Sequence, residues 1–149
     1  NTAPTSTVFT VSQSDACNTL NEDYVAYCFA EVEGYSKFGS YTGNGNADGP
    51  FIATSFSPSW IMVKRTDSAD TWNILDDKRG PINPNQNRLY ADLDSAESGD
   101  AGARADFLSN GFKLRTTNGD MNGSGGTYIF MALAENPFGG SGVSPATAR

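Results

Sequence analysis

The sequence predicts an all-β fold, an antiparallel β-sandwich of the jelly-roll or concanavalin/laminin-G-like kind. Three observations carry this. Apolar and polar residues alternate over short runs, and no window of about a dozen residues shows a capped amphipathic helical stripe. Gly, Asn, Asp, Ser and Pro cluster between those runs, as in Gly43-Asn44-Gly45-Asn46, Ser57-Pro58-Ser59, Arg79-Gly80-Pro81 and Gly123-Ser124-Gly125-Gly126, which is turn chemistry at the spacing of a sandwich. Finally, a strand-loop-strand phrase occurs twice. Phe9 to Tyr24 spans 15 residues and Phe112 to Tyr128 spans 16, and each Tyr opens an apolar run closing on Ala-Glu: Tyr24-Val-Ala-Tyr-Cys-Phe-Ala-Glu31 and Tyr128-Ile-Phe-Met-Ala-Leu-Ala-Glu135.

Taken in order, strands are predicted over residues 8–12, 24–31, 37–42, 51–55, 60–65, 71–75, 88–93, 106–108, 112–116 and 127–134. Runs 25–30 and 129–134 are apolar on both faces, so both are predicted to be central strands; half-exposed, they would leave a sticky surface. Runs 60–65 and 71–75 pair through the polar loop 66–70. Asn110-Gly111 tolerates positive φ and predicts a tight hairpin joining 106–108 to 112–114. Residues 101–105 hold a helical turn at most. Residues 76–87 carry two prolines and no apolar period, and are predicted to be a long surface loop of the kind that is mobile or functional.

With 149 residues, 38% of them hydrophobic, there is room for one domain with a core and a short appendage. The duplicated phrase divides the chain into 1–34, read as the closing hairpin of a preceding copy packed on the body; 35–138, the sandwich; and 139–149, a Gly/Ser/Pro-rich tail. The chain then reads as the C-terminal portion of a longer modular protein. An isolated two-stranded hairpin exposing Val11, Val25, Tyr27 and Phe29 is unstable in water, so 1–34 is expected to pair with the body or with a neighbouring chain.

The net charge of −7 disfavours nucleic acid and anionic membranes as partners, since both demand clustered Lys and Arg. No stretch is apolar over the length of a membrane-spanning helix. Cys17 lies in a polar loop and Cys28 within a predicted strand, where a small buried hydrophobe is the usual role; a disulfide between them stays open.

The chain contains no histidine, which removes Ser-His and Cys-His nucleophile pairs and the usual zinc sites. The carboxylates Asp92, Asp94, Glu97, Asp100 and Asp106 supply enough acids for a glycosidase on paper, but such runs on loops are ordinarily solvated, and the spacing over 92–100 does not match the helix-loop-helix calcium pattern. No enzyme activity, metal or cofactor is expected. The loops at 43–49 and 118–126 are glycine-rich without the strand-to-helix setting of a phosphate site. Asn122-Gly123-Ser124 is an acceptor sequon in a eukaryotic secretory setting only. Trp60 and Trp72 suit core packing; alternatively Trp72 is a platform for a sugar ring, with Asn73, Asp76, Asp77, Asn85 and Asn87 as hydrogen-bonding neighbours.

The segments Tyr24 to Phe51, Trp60–Arg65, Phe107 to Arg115 and Tyr128 to Phe138 resemble a domain of unknown function found in predicted tail or virion proteins of marine tailed phages, in the family's order and over most of the chain. The resemblance implies a virion location and a tail-fibre, appendage or capsid-attached-fibre domain that binds a host-surface glycan or protein. The alternative is a self-assembling fibre or lattice subunit without a receptor site. In either case the expected partners are further copies or other virion proteins. The family has no established catalytic residues, so none carry over.

Overall fold

The computed structural model describes residues 2–99 and 102–136. A short helix α1 (Asp15–Asn18) precedes β1 (Ser36–Thr42), β2 (Phe51–Ala53), β3 (Trp60–Arg65), β4 (Trp72–Asp76), β5 (Leu89–Tyr90), β6 (Ala105–Leu108), β7 (Gly111–Leu114), the short helix α2 (Gly119–Asn122) and β8 (Thr127–Leu133). The strands form two antiparallel sheets, of order β1-β8-β3-β4-β5 and β2-β7-β6, so the fold is a β-sandwich. The last strand lies between β1 and β3, with Tyr41 opposite Tyr128 and Val63 opposite Phe130. The larger sheet therefore closes only once β8 has found its slot, a non-local pairing that carries a loop-closure entropy cost.

Alternate residues of each strand meet between the sheets. Ile61, Val63, Leu75, Tyr128, Phe130 and Ala132 face Ile52, Ala105, Phe112 and Leu114, and the Phe112 and Phe130 rings meet edge-on at 5.5 Å. Full burial of each large side chain contributes about 1.5–3 kcal/mol. At one end Tyr41 stacks on Tyr128 at 4.9 Å, and their hydroxyls donate to the carbonyls of Met121 and Gly119, both at 2.6 Å. Burial, with the neighbouring Tyr128 and Asp120 charges, pushes the Tyr41 hydroxyl well above its ordinary value; burial likewise raises that of Tyr128.

The β3–β4 hairpin forms as predicted, with Lys64 opposite Trp72. The β6–β7 hairpin also forms, but Leu108 pairs with Gly111, so the turn is Ser109-Asn110 and neither Asn110 nor Gly111 has positive φ. Gly111 is needed for another reason: a Cβ there would stand 2.2 Å from the Ile52 carbonyl oxygen. The glycine admits β2 against β7. The predicted 88–93 strand contracts to two residues, because Asp92 turns its carboxylate onto the Trp72 N–H at 3.0 Å. Ala105 begins β6, whereas Ala101 lies outside the described residues.

Two predicted strands are absent. Residues 8–12 and 24–31 form no strand, and Val25, Tyr27 and Phe29 are 80%, 83% and 64% exposed. The segment 2–31 is thus an extended arm rather than a hairpin packed on the body, and run 24–31 is not a central strand. Cys28, expected to be buried, is exposed, and both cysteines are free thiols. The tail at 139–149 lies outside the described residues.

Candidate functional site

The long loop after β4 is held by its own amides. The Asp76 carboxylate accepts the backbone N–H groups of Lys78 (3.0 Å) and Arg79 (2.8 Å) and pairs with the Arg79 guanidinium. Burial raises the Asp76 pKa, but these donors outweigh it and hold the carboxyl below its ordinary value. Asn85 is buried and donates to the carbonyls of Asp76 (2.7 Å) and Gly80 (3.2 Å), while Asn87 donates to that of Arg79 at 2.6 Å. Gly80 lies so close to the Asn85 amide that a Cβ would stand 2.4 Å from it. Asn83 reaches the Phe107 backbone with both ends of its amide, at 2.7 and 2.9 Å, imitating a strand neighbour at the sheet edge. Side-chain amides replace the ladder that two prolines deny this segment. Residues 79–84, Gln86 and Asn87 line an open cleft of about 330 Å³, with Ile82 78% exposed beside it.

Of the six residues expected to bind a ligand, Asn87 and the neck around Asp76 and Asp77 lie at or near this loop. Asn73 and Asn85 are fully or almost fully buried and serve the fold: Asn73 faces inward and contacts Arg88 and the carbonyl of Thr71. Trp72 stands on the outer face of its sheet, opposite Lys64 and half-buried, away from Asn73 on the inner face. The six therefore do not converge on one surface. Beneath the loop, Arg88, Arg104 and Asp120 form a buried charge cluster, with Arg88 4.8 Å above the Tyr90 ring. Its position behind the sheet makes it a tie between β5, α2 and the chain entering β6.

The two glycine-rich loops, read as separate tips, meet. Asn122 is completely buried; its amide donates to Asn44 Oδ1 (3.1 Å) and to the carbonyls of Asn46 and Thr116 (both 2.8 Å), and accepts from the Asn44 N–H. The folded sequon is thus closed to modification. Asp92, Asp94 and Glu97 lie on an exposed loop, and Asp100 lies outside the described residues. No group of three or more metal-ligating side chains occurs among the described residues.

The outer face of the five-stranded sheet is the larger feature. Register aligns Phe38, Met131, Met62, Ile74 and Leu89 in one row across all five strands. Ile129 (42% exposed), Leu133, Trp60 and Trp72 flank it. An outward sheet face is ordinarily polar; this one is apolar, and the smaller sheet covers the opposite side. The arm adds Val8, Phe9, Val11, Leu20, Tyr24, Val25, Tyr27 and Phe29 as exposed large hydrophobics.

Residues 1–137 match the family described as Domain of unknown function (DUF7483). The chain belongs to this family. Arm and sandwich both fall within the DUF7483 match. No curated protein and no solved structure matches the chain. Sequence reasoning read run 129–134 as apolar on both faces but missed the outer row of this DUF7483 domain, although Trp60-Ile-Met-Val63 is apolar at successive positions too, which fills both faces of a strand.

Proposed function

We propose that this chain is a non-enzymatic structural domain of a tailed-phage particle, part of a tail fibre, appendage or capsid-attached fibre, that works by associating with further copies or neighbouring virion proteins. One observation carries this reading: a well-packed sandwich presents an apolar outer sheet face together with an apolar N-terminal arm. Large contiguous apolar surfaces of this kind mark interaction sites. The family resemblance read from the sequence supplies the virion setting, and the acidic charge disfavours nucleic acid as the partner. Light scattering on the purified chain across a hundred-fold concentration range tests it. Concentration-dependent assembly is expected, and a monomer throughout would overturn it.

A second reading rests on a separate observation, the amide-braced cleft at residues 79–87. A braced loop with exposed amide and proline groups at Asn83, Gln86, Pro81 and Pro84 suits display to a host-surface glycan or protein. Binding on a glycan array that is lost in an Arg79→Ala, Asn87→Ala double variant would support it; an array without binding would count against a glycan receptor.

A further inference from the structure

We infer that the N-terminal arm of one copy docks through Val25 and Tyr27 onto the outer face of the five-stranded sheet of a second copy. This rests on the assembling role proposed above and names its interface. In extended backbone Val25, Tyr27 and Phe29 point to one side, while Ala26, Cys28 and Ala30 point to the other. Val25 and Tyr27 stand about 7 Å apart, and the row from Met131 to Leu89, three strand spacings, is about 14 Å long. The arm thus fits along the row.

Three further observations favour this occupant. Phe29 already lies beside Phe38, the first residue of the row, with ring centroids 6.3 Å apart, so this arm chemistry and this face are compatible. Residues 30–32 are fixed so that the chain leaves its own sheet beyond that contact. The Ser36 hydroxyl donates to the Ala30 carbonyl (3.0 Å) and accepts the Val32 N–H (2.8 Å), and the Glu31 carboxylate accepts the Phe38 N–H (3.1 Å) and pairs with Lys37. Beyond Phe29, Tyr27 and Val25 face solvent. The charges also match: Asp15, Glu22, Asp23 and Glu31 give the arm four acids, of which Glu31 pairs with its own Lys37, and no Lys or Arg. On the receiving face Lys64 stands beside Ile129, its ammonium bonded to the Arg65 carbonyl.

A head-to-tail contact of this kind leaves each copy with one arm to give and one face to fill, so it propagates or closes into a ring. The full chain carrying p-benzoylphenylalanine at position 27 tests it. Irradiation of a mixture of isotopically light and heavy copies should yield covalent dimers on denaturing gels, and mass spectrometry should find residue 27 of one copy joined to Met62 of the other. Ile129→Glu, at an exposed position that tolerates charge, should lower the yield at least ten-fold while circular dichroism remains unchanged. Assembly by light scattering with cross-links elsewhere, or only within one chain, overturns the interface and leaves the assembling role standing. A monomer at every concentration overturns both.

Discussion

Residues 24–31 and 128–135 share a pattern and meet opposite fates. In the second, Tyr128 is completely buried and its strand is hydrogen-bonded on both sides; in the first, Tyr24 is 47% exposed and the chain pairs with no strand. The difference lies in their surroundings. Run 128–135 enters a slot with β1 on one side and β3 on the other. Run 24–31 approaches the free edge of β1, but Ser36 and Glu31 side chains occupy the backbone groups that a continuing hairpin would use. An apolar run becomes a strand only where unpaired backbone groups await it.

The matched tyrosines give the sharpest contrast. Tyr128→Ala should lower the unfolding free energy by about 3–5 kcal/mol in urea titration, as expected of a large buried ring. Tyr24→Ala, measured in dilute monomer, should change it by less than about 1 kcal/mol. Comparable losses would mean that the arm packs on the body after all.

Asn85→Ala tests the loop at intermediate scale. It removes the donor to the half-buried carbonyls of Asp76 and Gly80 and should cost about 1–2 kcal/mol, with residues 79–87 becoming more exposed to hydrogen exchange than the sheets. Uniform loosening throughout would show that the loop and body unfold as one.

Deleting residues 1–22 should leave Tm of the dilute protein unchanged within about 2 °C, since the described residues 2–22 contribute no strand and no buried side chain. Self-association should weaken only modestly, because Val25 and Tyr27 remain. A large fall in Tm would restore a structural role for the first copy of the repeated phrase.

The two regions should also respond to opposite ends of the pH scale. Tyr41 keeps its proton in the fold to well above its ordinary value. Above about pH 10 the unfolded chain loses this proton while the folded one retains it, so sandwich stability falls as pH rises. Glu31 lies below its ordinary value because of the Phe38 N–H and Lys37. Its hold on the arm is complete above the unfolded carboxylate pKa and is lost as pH falls through the folded one. The protection factor of the Phe38 amide, its exchange corrected for the intrinsic dependence on pH, should fall in acid before the core signals change.

Most of the sandwich was legible because its strands satisfy two independent local rules, alternation and turn chemistry. Trp60–Arg65 is found with the predicted bounds, and 37–42, 71–75 and 127–134 shift by about one residue. Of the six residues expected to bind a ligand, Asn73 and Asn85 were misplaced because an amide flanking a strand looks the same whether it faces solvent or braces a buried carbonyl. The side that Asn73 takes follows from β4 pairing with β3, and the burial of Asn85 from its pairing with Ala105.

By itself the sequence determined the all-β class, the positions of the strands in the sandwich and the chain's acidity, because backbone preference and alternation act over a few residues. Tertiary structure decided which apolar run received a slot, that Gly111 serves close approach instead of a turn, and that one sheet keeps an apolar face outward. Those outcomes depend on register and on competition for backbone hydrogen bonds between residues far apart in the chain, which no local pattern encodes.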